Sequence, residues 1–169
     1  MGFHLKEEIR KRFEYCDGKV LVKTSGQWRG IVGEEAGSVR KDGRRIIQIK
    51  GKRLFTHQVV WLLFNDELPL GSIDHIDNDQ TNNKIENLRA ASGSEQQGNK
   101  SVQTNNTSGF KGVSFSSKRN NSRPWRAYIK DNGVSVHLGY FISAEEAARA
   151  YDTAAKEKFG AFALLNFKE

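Results

Sequence analysis

Trp125-Arg126-Ala127-Tyr128-Ile129-Lys130-Asp131-Asn132-Gly133-Val134-Ser135-Val136-His137-Leu138-Gly139-Tyr140 alternates side-chain character on both sides of an Asn-Gly pair. A period of two marks strands, and Asn-Gly supplies the positive φ angles that a tight hairpin turn requires. Residues 125–131 and 134–140 are therefore predicted to pair as a hairpin. Residues 110–116 repeat the pattern and offer a third strand. Ser143-Ala144-Glu145-Glu146 follows as a capping box, with Ser143 as N-cap and Glu146 at the third helical position. The helix it opens carries Ala147, Ala150, Tyr151, Ala154 and Ala155 on a small-residue face and ends near Gly160. Small residues let a helix lie close on a sheet. Residues 110–169 are thus expected to form a three-stranded antiparallel sheet packed on one helix.

Alternation also sorts the side chains. Val113, Phe115, Trp125, Ala127, Ile129, Val136 and Leu138 are predicted to face the helix. Ser114, Ser116, Arg126, Tyr128, Lys130, Ser135 and His137 point the other way, onto a polar, basic and aromatic face. Residues 101–130 contain Lys111, Lys118, Arg119, Arg123, Arg126 and Lys130 and no acid. That is the footprint expected of phosphate binding, and a sheet of this size can enter the major groove of DNA. A solvated basic face is the plainer alternative.

Five segments in this half resemble the DNA-binding domain of plant ethylene-response factors, the APETALA class. They are Phe110-Lys111-Gly112-Val113, Trp125-Arg126-Ala127-Tyr128-Ile129, His137-Leu138-Gly139-Tyr140-Phe141, Ala144-Glu145-Glu146-Ala147-Ala148-Arg149-Ala150-Tyr151-Asp152 and Ala163-Leu164-Leu165-Asn166-Phe167. The resemblance implies DNA contacts from Lys111, Ser114, Ser116, Arg126, Tyr128, Lys130, Ser135 and His137. Serines at 114 and 116 stand where plant members carry arginines, and His137 stands where they carry tryptophan, so the plant target sequence does not transfer.

Towards the amino terminus, Leu5, Ile9 and Phe13 form a helical stripe through Tyr15, broken by Asp17-Gly18. Residues 19–23 and 45–50 read as strands, and Thr56 can cap an apolar helix over residues 57–64. An Asn-rich stretch occupies residues 78–87, a short helix is expected over 94–100, and residues 101–109 read as a linker.

The chemistry concentrates in Gly71-Ser72-Ile73-Asp74-His75-Ile76-Asp77-Asn78-Asp79-Gln80-Thr81-Asn82-Asn83-Lys84-Ile85-Glu86-Asn87-Leu88-Arg89. Asp74 offers a hard oxygen ligand beside the His75 imidazole, and phosphodiester hydrolysis needs both a cation and a base. Neighbouring strand residues face opposite ways, so the two converge only if the strand ends or bulges there. His57 is read first as a packing or capping residue, and second as a contact to metal or phosphate.

Thr56-His57-Gln58-Val59-Val60-Trp61, Asp74-His75-Ile76-Asp77, Asn82-Asn83, Asn87-Leu88-Arg89 and Gln96-Gln97-Gly98-Asn99-Lys100 together resemble the phage and homing branch of the His-Asn-His (HNH) endonucleases. The resemblance implies an α+β fold: a ββα-metal (His-Me finger) nuclease module followed by the sheet-and-helix domain. The corresponding domains are residues 1–54 as support, 55–100 as nuclease, 101–109 as linker and 110–169 as DNA reader. His75 would be the general base, Asp74 a metal ligand, and Asn87 the residue that orients His75 across the loop. Gln96 occupies the position where His or Asn donates to the metal, with Asn99 one turn later as the fallback. Mg²⁺ is the expected ion and Mn²⁺ its substitute. Arg89 is read either as a DNA-backbone contact or as a structural ion pair.

Double-stranded DNA is the expected partner, and a homodimer would cut both strands where a monomer nicks one. A sequence-specific DNA-binding regulator with a weakened nuclease is the competing reading, carried by Gln96. RNA cleavage fits less well, because the major groove of RNA is too narrow for a sheet.

Composition agrees with these expectations. The chain has 169 residues, a formal net charge of +7 and 37% hydrophobic residues. One cysteine, Cys16, excludes a disulfide framework and a multi-cysteine zinc site, so no structural zinc is expected. No apolar run is long enough to span a membrane, and the first residues lack a secretion signal. An intracellular protein is expected, in the cytoplasm of a phage-infected bacterium if the resemblance holds.

Overall fold

A computed structural model of the chain describes residues 2–24, 30–116 and 122–167. Lys118 and Arg119 of the basic run lie outside the described residues. The elements form two units, Met1–Ala90 and Ala91–Glu169, each mixing helices with small antiparallel sheets.

In the first unit, helix α1 (Gly2–Arg12) runs directly into strand β1 (Phe13–Cys16), which pairs with β2 (Lys19–Val22). The sequence predicts helix through Tyr15, and the structure ends it at Arg12. Phe13 and Tyr15 turn inward while Glu14 and Cys16 stay exposed, so the period of two overrides the helical stripe there. Strands β3 (Ser38–Val39), β4 (Arg45–Ile49) and β5 (Lys52–Phe55) form a second sheet in the order β3-β4-β5. Helix α2 (Thr56–Phe64) follows at once. Thr56 is its first residue rather than its cap: the Thr56 hydroxyl donates to the Arg45 carbonyl (3.4 Å), and the Gln58 side-chain oxygen accepts from the Phe55 amide (2.9 Å). Strands β6 (Ser72–His75) and β7 (Leu88–Ala91) pair as a ribbon, with one 3-10 turn (Ile85–Asn87) before β7.

Ile9, Val20, Ile47, Ile49, Val59, Val60, Ile73 and Leu88 share one core. Each large aliphatic buried there contributes about 1.5–3 kcal/mol relative to exposure. Residues 1–54 thus build the same interior as the helix and ribbon that follow.

In the second unit, α3 (Gly93–Asn99) opens with a reciprocal box: the Glu95 amide donates to Ser92 Oγ (3.3 Å) and the Ser92 amide to Glu95 Oε2 (2.7 Å). Strands β8 (Val113–Phe115), β9 (Trp125–Asp131) and β10 (Val134–Phe141) form an antiparallel sheet in the order β10-β9-β8, and α4 (Ala144–Phe159) lies across one face. Ser143 caps α4 through the Glu146 amide (3.1 Å), and the Glu146 carboxylate accepts from the amide of Ile142, just before the cap (3.2 Å).

The division between units falls after Ala90 and not in residues 101–109. Packing explains the difference. A Cβ on Gly98 would sit 2.6 Å from the Phe159 ring, so only glycine lets α3 approach α4 this closely. The Leu164 amide donates to the Gly98 carbonyl (2.9 Å), and Ser94 Oγ to Asp131 (3.0 Å). The expected linker is itself partly knotted. Asn106 Oδ1 accepts from the Ser108 and Gly109 amides, and Asn106 Nδ2 donates to the Phe110 carbonyl.

Residues 110–112 belong to turns rather than to β8. Gly112 has φ +74°, and a Cβ there would lie 2.1 Å from the Tyr151 ring. The carboxy-terminal segment closes the unit: the Asn166 and Phe167 amides donate to the Asp152 carboxylate, and Asn166 brackets the backbone of Lys111 through its side-chain amide. No helix among the described residues is long and apolar enough to cross a membrane.

Candidate active site and nucleic-acid face

Strand β6 ends at His75, where the Asn78 amide closes a turn onto the His75 carbonyl (3.0 Å). Both Asp74 and His75 are 7% exposed, which is unusual for such polar groups and requires partners. Each has its own. Asp74 Oδ2 accepts from Arg89 Nε and Nη2, both at 3.0 Å, across the ribbon. Arg89, read in sequence as a DNA contact or an ion pair, thus pairs with a buried carboxylate.

His75 Nε2 lies 3.1 Å from Asn83 Oδ1. Asn83 Nδ2 donates to the Thr81 carbonyl (3.0 Å), which fixes the oxygen end of the amide towards the imidazole. The edge of one imidazole meets the face of the other where His57 packs on His75, with centroids 5.2 Å apart and planes at 85°. His57 stacks in turn on Phe55 (5.5 Å, 9°), and the Arg44 guanidinium lies 4.7 Å from the Phe55 centroid. Burial, reinforced by the charges of His75 and Arg44, pushes the His57 imidazole down to about 4.

The loop after β6 is held by Asn87. Its Nδ2 donates to Asp77 Oδ1 (2.9 Å) and to the Asn82 carbonyl (2.8 Å), while its Oδ1 accepts from the Asp77 amide (3.1 Å). Burial raises the Asp77 carboxyl, but hydrogen bonds from Asn82, Asn87 and the Asp79 amide outweigh it and leave the pKa lowered. Tyr15 accepts from the Ile85 amide (3.3 Å) and Asp17 pairs with Lys84 (2.7 Å), so the β1–β2 hairpin braces the far end of the loop. His57 takes the packing role that sequence reading put first, whereas Asn83 beside His75 and Tyr15 at the loop were left without a role. The second asparagine of Asn82-Asn83 was the available signal for the first of them.

Gln96 and Asn99 belong to the second unit, on α3. Gln96 is exposed, whereas Asn99 is 4% exposed. Among the described residues, no group of three His, Cys, Asp or Glu side chains is placed to hold a metal.

The sheet presents one open face. Cross-strand partners share a side, and the pairs Ser114–Arg126, Tyr128–His137 and Lys130–Ser135 put these residues together as alternation predicts. Ser116, just past β8, donates its amide to the Pro124 carbonyl (2.9 Å). The Arg126 guanidinium lies 5.4 Å from the Tyr128 ring. A register shift between His137 and Gly139 brings Tyr140 opposite Arg126 and its ring 4.7 Å from His137. Strict alternation sends Tyr140 to the helix side, and the bulge reverses that. Gly139 inside a strand was the signal.

Lys111 is a correction in the other direction. Its ammonium donates to the Gly98 and Leu164 carbonyls and lies 5.7 Å from the Tyr151 centroid. Burial lowers its pKa to about 8, against the opposing pull of Asp152. It faces inward because Gly112 bends the chain before β8 begins.

Comparison with known proteins gives a consistent set of likenesses. A family model described as HNH endonuclease matches residues 54–97. An uncharacterized HNH endonuclease of Acanthamoeba polyphaga mimivirus is 31% identical over 127 residues, 75% of this chain and 64% of that protein. The chain thus spans less than two thirds of the mimivirus relative. Protein 3.8 of Escherichia phage T7 is 35% identical over 108 residues, 63% of this chain and 86% of the phage protein. No solved structure matches the chain.

Proposed function

The chain belongs to the HNH endonuclease family, and from that premise we propose a metal-dependent DNA endonuclease leaving 5′-phosphate and 3′-hydroxyl ends. The observation that carries the reading is the buried Asp74-His75 pair at the end of β6, with the ring held by Asn83 and the loop by Asn87. β6, β7 and α3 follow one another in the chain order of a ββα-metal module.

His75 is the general base that accepts a proton from the attacking water, its ring held at Nε2 by Asn83. Asn87 is a positioning residue: it fixes the loop that carries Asn83, and through it the tilt of the imidazole. Arg89 holds Asp74 in place rather than gripping the duplex.

A hard cation that keeps most of its waters needs only one or two carboxylate or amide ligands. Asp74 offers such a carboxylate for Mg²⁺ or Mn²⁺, and the family resemblance assigns the amide to Gln96 or, in its stead, Asn99. When bound, the cation supplies stabilisation of the charge developing on the phosphoryl oxygens. The open sheet face would then position the duplex through Ser114, Ser116, Arg126, Tyr128, Lys130, Ser135 and His137, with Tyr140 added, in the manner of ethylene-response-factor domains.

Supercoiled plasmid incubated with Mg²⁺, with Mn²⁺ or with chelator tests the whole reading. Relaxation of the plasmid in metal and none in chelator is the expected result. Tight DNA binding with no cutting in either metal would replace it with the regulator reading, which the exposed Gln96 favours. Nicked product from a monomer, or linear product from a homodimer, decides the number of strands cut.

A further inference from the structure

β8 has three residues and β9 has seven, so among the described residues no strand pairs with β9 beyond Tyr128 on the β8 side. A cavity of about 370 Å³ opens there, lined among others by Lys100, Lys111, Lys130, Tyr128, Tyr151 and Phe159. Three features set it apart from an ordinary surface cleft. Its lining includes three lysines and no carboxylate. It has an aromatic floor and wall, with Tyr151 brought close by the missing side chain of Gly112. Its size falls within the range of small-molecule sites, roughly 300–1,000 Å³.

Lys111 is pre-positioned by the Gly98 and Leu164 carbonyls, so an arriving anion does not have to order it. Burial alone lowers the pKa of Lys111, against the pull of Asp152.

We propose that this cavity binds a nucleoside monophosphate unit, its phosphate on the lysines and its base on the tyrosine and phenylalanine rings. Lysines lining one cavity offer donors to a phosphate, and stacking on aromatic rings accepts any base. A flat duplex-reading face needs neither an enclosed wall nor residues 97–103, which contribute Gln97, Lys100 and Gln103 here. The site is therefore separate in purpose from the open face, although Tyr128 and Lys130 border both. It does not depend on the nuclease reading, because binding is measured without cleavage.

The test uses the isotopically labelled full chain in chelator, titrated separately with inorganic phosphate, deoxyadenosine monophosphate and a short single-stranded oligothymidylate. Amide shifts at residues 100–112 and 128–130 are expected with the nucleotide. Equal response to the oligothymidylate assigns the unit to a strand as well as to the free nucleotide, and response to the oligothymidylate alone assigns it to a strand. Lys100→Glu combined with Lys130→Glu, both at exposed positions, should weaken nucleotide binding about tenfold. Tyr128→Ala should weaken the nucleotide while leaving inorganic phosphate unchanged. Three results overturn the proposal: no shifts with any probe, shifts confined to the open face, or affinities that ignore the lysine substitutions.

Discussion

The two units hold their polar side chains in opposite ways. Around β6 the first unit buries a carboxylate and an imidazole and satisfies each with a dedicated partner, Arg89 for Asp74 and Asn83 for His75. The sheet of the second unit leaves Arg126, Lys130 and His137 exposed, with ring contacts at Arg126 and His137. A buried polar group without its partner costs far more than an exposed one. Substitutions in the first unit should therefore act on turnover with sharp geometric dependence, and substitutions on the sheet on affinity in small, separable steps.

The largest test of that contrast is His75→Ala. Loss of a positioned base should reduce plasmid cleavage about 10²–10⁴-fold, with DNA binding by gel shift unchanged. A parallel loss of binding would erase the distinction between the units. Next comes Asn87→Ala, which releases Asp77 and the Asn82 carbonyl and should lower cleavage about 10–100-fold through the loop. Asn87→Asp, which keeps the acceptor for the Asp77 amide but loses the Nδ2 donor, should recover little, since it faces the Asp77 carboxylate.

On the sheet, Arg126→Ala should reduce the slope of log affinity against log salt by about 1 and leave the single-turnover cleavage rate at saturating protein unaltered. A changed rate at saturation would mean that the face does more than position DNA. The smallest effect concerns Lys111. Its ammonium is disfavoured in the folded state, so the unfolded chain binds more protons between about pH 8 and the ordinary lysine range near 10.4. Stability should rise with pH across the lower part of that window. The rise should vanish in Lys111→Met, followed by thermal melts between pH 7.5 and 9.5. A flat wild-type profile would show that the cavity wall does not desolvate the amine.

What the sequence made legible was whatever depends on neighbours in the chain. Asn132-Gly133 marks the β9–β10 turn, Ser143 caps α4, and the Asp-His and Asn-rich stretches identify the loop that the structure knots. Less visible was whatever depends on competition between two periodicities or on distant packing. Phe13 fits a helical stripe with Ile9 and a strand alternation with Tyr15, and only pairing with β2 decides between them. The placement of α3 in the second unit rests on Gly98 meeting a ring sixty-one residues later. The partnership of Arg89 with Asp74 spans fifteen residues, and no local pattern distinguishes it from a phosphate contact.

The shift between His137 and Gly139 works like a change of reading frame within β10. Before it, even-numbered residues face the helix; after it, odd-numbered ones do, so Phe141 goes inward and Tyr140 outward. Deleting the extra residue there would restore plain alternation and leave Phe141 inward and Tyr140 outward, because the pairs on either side keep their partners. Single deletions along β10 should thus be tolerated better at the bulge than at the hairpin tip. The bulge is slack in the length of the strand, set between two stretches of fixed register.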